Sequence, residues 1–309
     1  MTRVAALDCG TNSLRLLVAE VDGSTLTDVV RRMEIVRLGA GVDRTGQLAP
    51  EALARTFAVL DEYAGQVRDL GVDAVRMVAT SATRDASNRD EFVAGVKQRL
   101  GVEPEVVSGA EEAALSFAGA TRELGEDSGL PTPYLVVDIG GGSTEFVLGD
   151  AEGARAALSV DVGCVRMTER HLVDDPPTGA QVDAARRDIV TAIDRVRSVV
   201  PVAEAATLIG LAGSVTTVVA LAMGLPAYDA DRIHHARISA AEVRRVTGEL
   251  LAATRSERAA LSVMHPGRVD VIGGGALVLD TIMTEGRFSE VVASEHDILD
   301  GIAFSAVTG

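Results

Sequence analysis

Lysine is almost missing from this chain: among 29 basic residues Lys97 is the only lysine, and the others are arginine. Positive charge is scarce overall, because 45 acidic residues leave a formal net charge of −16 at pH 7. Such a balance argues against a broad nucleic-acid surface, which needs a basic stripe, and no nucleic-acid partner is expected. Arginine is the side chain that grips phosphate oxygens with two donors at once, although a GC-rich coding bias accounts for its excess as readily. A polyanionic ligand would need the positive field concentrated in a cleft and not spread over the surface. Cysteine is nearly absent too. Cys9 and Cys164 have no metal-ligand spacing and read as buried small apolar side chains, not a disulfide. Long apolar runs are equally short: the one charge-free stretch of membrane-spanning length, 205–228, is broken by Gly210, Gly213, Gly224 and Pro226. A buried strand, a glycine turn and a buried helix fit it better, so no membrane association is expected. Residues 1–8 carry one positive charge and no apolar segment of signal-peptide length, so a cytoplasmic location is expected.

What is present organises itself around residues 134–149. A continuous apolar run reads as a buried strand ending at Asp138; Gly140, Gly141, Gly142 and Ser143 follow, and an apolar second strand resumes. Three glycines expose their backbone N–H groups and allow positive φ, so the turn can wrap a phosphate, with Ser143 and Thr144 adding hydroxyl donors. Asp138 and Glu145 stand at the rims of the turn, placed to hold a hard cation, normally Mg²⁺. Alone, the stretch is also compatible with a Gly-rich hairpin bearing surface acids. A second copy strengthens the phosphate reading: Asp8, Gly10, Ser13 and Gly23 match Asp138, Gly140, Ser143 and Gly153 at one constant offset, as two similar halves would. A chain of 309 residues is long enough for two such domains, each with its own core.

Along the rest of the chain, strands are expected over 4–7, 14–21 and 26–38, a helix over 50–70, and a strand over 74–80 leading into the hydroxyl-rich loop that contains Arg84. That loop suits an anion, and equally a helix cap. A helix over 90–100 and a strand over 105–108 precede a helix beginning at Gly109, where Glu111 and Glu112 point about 100° apart and only one can face a cleft. By themselves, acids in a first helical turn complement the helix dipole. The polar stretch 125–133 is the natural domain boundary. Further strands are expected over 146–148, 156–162 and 208–211, and helices over 180–199, 240–253, 256–261 and 297–306, with 163–170 leading into a helix. Gly213 and Ser214 open a third Gly/Ser turn at a helix start, a familiar anion site. Gly273, Gly274 and Gly275 sit inside the apolar segment 269–282. His234, His235 and His265 lack a third metal ligand at useful spacing and read as surface or supporting histidines.

Taken together, these motifs resemble the exopolyphosphatase / guanosine pentaphosphate phosphohydrolase (Ppx/GppA) family of the actin-like ATPase superfamily. The resemblance runs through 6–13, 80–86, 108–113, 138–145, 163–166 and 210–214. The glycine turns are common to the superfamily, whereas the Ser108-Gly-x-Glu-Glu112 and Asp138-Ile-Gly-Gly-Gly-Ser-Thr-Glu145 pair is specific to the family. It implies an α/β fold of two ribonuclease H-like domains, 1–125 and 126–309, with the active site in the cleft between them. The final helix, about 297–307, is expected to return to the first domain. Longer members carry a further helical domain, and this sequence resembles the short form.

Carried over residue by residue, the resemblance implies Glu112 as the acid that orients and deprotonates the attacking water, with Glu145 as a second catalytic acid. Asp8, Asp138 and Glu145 would place Mg²⁺. Thr11, Asn12, Ser13, Arg84, Gly140, Gly141, Gly142 and Ser143 would hold the terminal phosphoryl group, and Gly213 and Ser214 the next phosphates. The implied activity is hydrolysis of terminal phosphoanhydride bonds in inorganic polyphosphate, with guanosine pentaphosphate as a second substrate. A homodimer is expected. Two other classes stay open: a sensor that binds polyphosphate or an alarmone without turnover, and an actin-like small-molecule kinase.

Overall fold

Strand β1 (Thr2–Cys9) alternates its side chains between two cores, because it is central in its sheet and both faces are covered. Ala5, Leu7 and Cys9 join one cluster, and Val4 and Ala6 the other. The computed structural model describes every residue except 24, 123, 125–128 and 309. The chain divides into two units, one formed by 1–123 with 297–309 and the other by Leu124–His296. The boundary expected at 125/126 falls outside the described residues.

In the first unit, β1 pairs antiparallel with β2 (Ser13–Asp22), which pairs with β3 (Thr25–Ile35). Next come α1 (Val42–Thr45), α2 (Pro50–Leu70), β4 (Ala74–Ala79), α3 (Ser81–Asp85), α4 (Arg89–Leu100), β5 (Glu105–Val106) and α5 (Gly109–Thr121). The sheet order is β3-β2-β1-β4-β5, with β4 and β5 running parallel to β1. An antiparallel meander continued by parallel crossovers is the ribonuclease H-like topology. One core lies under α2 and α4, built on Leu60, Tyr63, Phe92 and Val96. The other is closed by the chain's last helix, Ile298–Thr308, through Ile298, Leu299, Ile302 and Phe304. The 26–38 strand of the sequence reading stops at Ile35, because the amides of Val36 and Arg37 turn back to the Asn12 carbonyl.

The second unit repeats the plan. It contains β6 (Tyr134–Ile139), β7 (Thr144–Asp150), β8 (Gly153–Val160), α6 (Cys164–His171), α7 (Gly179–Arg197), β9 (Thr207–Leu211), α8 (Ala212–Ala222), α9 (Ala230–Ile233), β10 (Arg237–Ser239), α10 (Ala240–Ala252), α11 (Arg255–Ala259), α12 (Ile272–Gly286) and β11 (Glu290–Ala293). Its order is β10-β11-β9-β6-β7-β8, with β9 parallel to β6 and β7 and β8 antiparallel beyond it. The helix Ile298–Thr308, α13, completes the list and belongs with the first unit. The segment 205–228 folds as β9 and α8, and among the described residues no helix is long and apolar enough to cross a membrane. The triplet Gly273–Gly275 lies inside α12, where a Cβ on Gly275 would stand 2.2 Å from Ser214 Oγ and one on Gly274 2.7 Å from the Cys164 carbonyl. Its glycines let α12 approach α6 and α8 closely.

Candidate functional site

Both sheets carry their candidate residues at the carboxyl ends of the first strand and its parallel neighbours, the edge where α/β sheets bind ligands. In the first unit β1 ends beside Asp8, and the turn to β2 is closed by the Gly10 amide bonding the Ser13 carbonyl at 3.0 Å. In the second unit the Gly140 amide bonds the Ser143 carbonyl at 3.1 Å. The repeat read from sequence is thus a repeat of backbone hydrogen bonding. One expectation is corrected: none of Gly10, Gly140, Gly141 and Gly142 has positive φ. The close packing that excludes a side chain is at Gly163, which faces the turn. A Cβ on Gly163 would stand 2.4 Å from the Gly141 carbonyl oxygen. That approach lets the amides of Cys164, Val165 and Arg166 cap the Gly140 and Gly141 carbonyls, while Arg166 Nε bonds the Gly142 carbonyl at 2.7 Å. The start of α6 therefore fastens the carbonyl side of the turn.

Within the first unit Thr11 Oγ1 meets Ser81 Oγ at 2.9 Å, joining the first turn to α3, and the Asn12 carbonyl receives the amides of Val36 and Arg37. Arg84, on α3, donates from Nη1 to the Val107 carbonyl at 2.9 Å and to Glu112 Oε2 at 3.0 Å. Both bonds use the same nitrogen, so among the described residues Nε and Nη2 are left for an anion. The two acids of α5 separate cleanly. Glu111 is exposed and completes a capping box with Ser108, whose amide and hydroxyl hold its carboxyl below the usual range. Glu112 is 7% exposed and turns instead to Arg84. Glu111 takes the capping role at the helix start, and Glu112 has no part in that cap.

Asp8 is 3% exposed. Its Oδ2 accepts from Arg15 Nε at 2.9 Å and Nη2 at 2.6 Å, and Arg15 Nη1 reaches on to Asp297. Burial pushes the Asp8 carboxyl up, and Arg15 offsets only part of that push. Burial would also raise Asp297, but Arg15 and the Leu299 amide outweigh it and hold Asp297 below the usual range. Asp8 Oδ1 is buried and has no hydrogen-bond partner among the described residues.

In the second unit, Asp138 and Glu145 are direct cross-strand partners on β6 and β7, 8% and 1% exposed. Opposed residues in this register bring their Cβ atoms to about 4.5–5.5 Å, and two like charges there repel. Glu145 Oε1 is steadied by the Ser159 hydroxyl at 2.7 Å. Two facing oxygen donors suit Mg²⁺, which is held by one or two carboxylates together with waters and phosphate oxygens. Among the described residues no group of three His, Cys, Asp or Glu is gathered for a metal. Ser214 is buried beside Gly213 at the start of α8, and Asp138 lies in register with Leu211 on β9, so the third turn shares the sheet edge of the second.

Two arginines escaped the sequence reading. Arg15 looked like part of a strand. Arg268 stacks on the third turn so closely that a Cβ on Gly213 would stand 2.1 Å from its guanidinium carbon, and it donates to Thr217 Oγ1 at 3.2 Å. No local pattern announces the contact of Arg15 with Asp297 or of Arg268 with the third turn. The histidines lie elsewhere: His234 stacks on His235 with centroids 3.7 Å apart, burial lowers the His234 pKa to about 4, and His265 Nδ1 accepts from the Gly267 amide.

Paired ribonuclease H-like sheets, each with an acid and a Gly/Ser turn ending its first strand, define a protein of the actin-like ATPase superfamily fold. Within that class the chain belongs to the Ppx/GppA phosphatase family, whose profile matches residues 17–308. It is 50% identical over 318 aligned positions to exopolyphosphatase 2 of Mycobacterium tuberculosis, covering 99% of this chain and 98% of that one. It is also 31% identical to a guanosine-5'-triphosphate,3'-diphosphate pyrophosphatase of Vibrio atlanticus, over 98% of this chain and 59% of that protein. The crystal structure of an exopolyphosphatase-like protein matches with a TM-score of 0.94 at 44% identity, covering 98% of each chain.

Proposed function

We propose that this protein hydrolyses the terminal phosphoanhydride bond of inorganic polyphosphate with Mg²⁺, releasing orthophosphate, and accepts guanosine pentaphosphate as a second substrate. The observation that carries the reading is the division of labour on α5: a buried carboxylate, Glu112, freed from capping by Glu111 and oriented by Arg84. A general base needs that seclusion and fixed direction. Water attacks the terminal phosphorus, Glu112 takes its proton, the bond to the bridging oxygen breaks, and the shortened chain departs with that oxygen. No covalent enzyme intermediate is required, since positioning and charge neutralisation do most of the work in phosphoryl transfer.

The amides of Gly141 and Gly142 with the Ser143 hydroxyl are assigned to the terminal phosphoryl group, together with Thr11, Asn12, Ser13 and the open edge of Arg84. Gly213, Ser214 and Arg268 are assigned to the phosphates behind it. Asp138 and Glu145 would hold the cation, which when bound neutralises charge on the phosphate oxygens. Asp8, with one oxygen committed to Arg15, is assigned to water and not to direct cation ligation. The test is phosphate release by the purified protein on short polyphosphate, long polyphosphate and guanosine pentaphosphate, with Mg²⁺ and with EDTA. Release that EDTA abolishes is expected. No release at any enzyme concentration makes the protein a binding sensor, and phosphate transfer that needs an acceptor makes it a kinase.

A further inference from the structure

We infer that Arg15 is a positioning residue for the reaction, fixing Asp8 by one carboxylate oxygen so that the other faces the reacting water, with Asp297 holding Arg15 in that pose. The inference rests on the hydrolase reading above.

The internal repeat isolates the feature. Asp8 lies opposite Arg15 on the β1–β2 ladder, and Asp138 lies opposite Glu145 on the β6–β7 ladder. At matching positions the second unit therefore sets two acids face to face, which suits a cation, while the first sets an acid against a guanidinium, which neutralises it. The mode of pairing is unusual as well. A guanidinium edge ordinarily engages both carboxylate oxygens in parallel, yet here Nε and Nη2 both converge on Oδ2. Oδ1 is left buried and without a partner among the described residues. A buried oxygen in that state is an acceptor waiting for a donor.

The anchor behind Arg15 is rigid. Asp297 takes Nη1 on its Oδ2, receives the Leu299 amide on Oδ1 at 3.0 Å, and donates its own amide to Asp300 Oδ2 at 2.9 Å. Asp300 in turn pairs with Arg31 from β3. Arg15 is thus held at three nitrogens between Asp8 and Asp297.

The experiment is a double-mutant cycle on kcat and KM with short polyphosphate, using Arg15→Gln, Arg15→Lys, Asp8→Asn and Asp8→Asn with Arg15→Gln. Displacing a catalytic group by about 1 Å costs on the order of 10²-fold, so Arg15→Gln should lower kcat by about 10- to 100-fold. KM should stay within about twofold, and Arg15→Lys should recover part of the loss because one donor remains. In the Asp8→Asn background, Arg15→Gln should cost less than about twofold more, since residues acting through one another are not additive. An equal loss in both backgrounds, or a raised KM with kcat intact, overturns the inference. Asp297→Asn runs the same cycle should Arg15→Gln fail to fold, with a smaller kcat loss that also vanishes beside Asp8→Asn. If the unmutated protein releases no phosphate, the hydrolase reading falls by itself. The Arg15 assignment is then read from the carboxyl ¹³C resonance of Asp8, which should move in Arg15→Gln and not in Arg245→Gln, a change on α10 where Arg245 pairs with Glu249; an unmoved resonance in Arg15→Gln overturns it.

Discussion

Adjacent glutamates on α5 show how finely a single residue's role is set by its direction. Glu111 faces back to Ser108 and satisfies orphan amides at the helix start, while Glu112, about 100° around the helix, is buried against Arg84. The same Glu→Gln change should therefore do opposite things at the two sites. Glu112→Gln keeps shape and removes the base, so kcat should fall by about 10²–10⁴-fold with KM little changed. Glu111→Gln should leave kcat intact and lower stability by no more than about 1 kcal/mol, a cap's worth, seen as a small drop in Tm. If Glu111→Gln alone abolishes turnover, the assignment on α5 is wrong. The sequence contained the means to make this division, because Ser108 followed by Glu111 is a capping-box signature. The distant partners of Glu112 and Arg15 were not legible in the same way. Arg84 lies 28 residues from Glu112, and Arg15 lies 282 residues from Asp297; contacts of that separation are fixed by topology and leave no local spacing to read.

At the scale of elements, the strands that build the two turns were legible because buried strands and Gly/Ser turns have strong local patterns. The three residues of β10 and four of β11 carry no period to detect, and the Gly273–Gly275 triplet carries no helical signal although it is helical. In the sequence the conformation of 273–275 stays open; packing decides it and the short strands, and helix α13 makes the point testable. A Cβ on Gly301 would stand 2.1 Å from the Leu115 carbonyl oxygen, and one on Gly119 would stand 1.8 Å from the Asp297 carbonyl oxygen. The obstacle is backbone and cannot yield by rotating a side chain. Gly301→Ala should therefore cost about 1–3 kcal/mol by overpacking, and should lower kcat as well, since α5 carries Glu112. Gly248, exposed within α10, has no atom within 4 Å of an added Cβ. There the same substitution should stabilise by about 0.5–1 kcal/mol, because alanine loses less entropy in a helix. Thermal melting of the two variants in opposite directions is the expected result. A neutral Gly301→Ala would mean that α5 and α13 do not meet as closely as this.

At the scale of the whole molecule, a protein of net charge −16 is assigned a polyanionic substrate, and the two facts must be reconciled by distance. Charges spread over the surface act over the screening length, about 8–10 Å near physiological salt, and added salt removes their repulsion first. The direct contacts to phosphate proposed for Arg84 and Arg268 would be short and weakened less. A long basic track behaves differently: neutralising six to ten phosphates would cost about 10³–10⁵ in affinity between roughly 50 and 200 mM salt. The KM for polyphosphate should therefore change weakly over that range, or fall as repulsion is screened. Arg84→Ala should raise KM at every salt concentration by removing a short-range contact. It should lower kcat too, because the same guanidinium orients Glu112 at 3.0 Å. Steady-state kinetics across a salt series, run on the unmutated protein and on Arg84→Ala, measures both. A KM that climbs steeply with salt in the unmutated protein would require a basic track, and the assignment of substrate binding to a few turn-bound arginines would then be wrong.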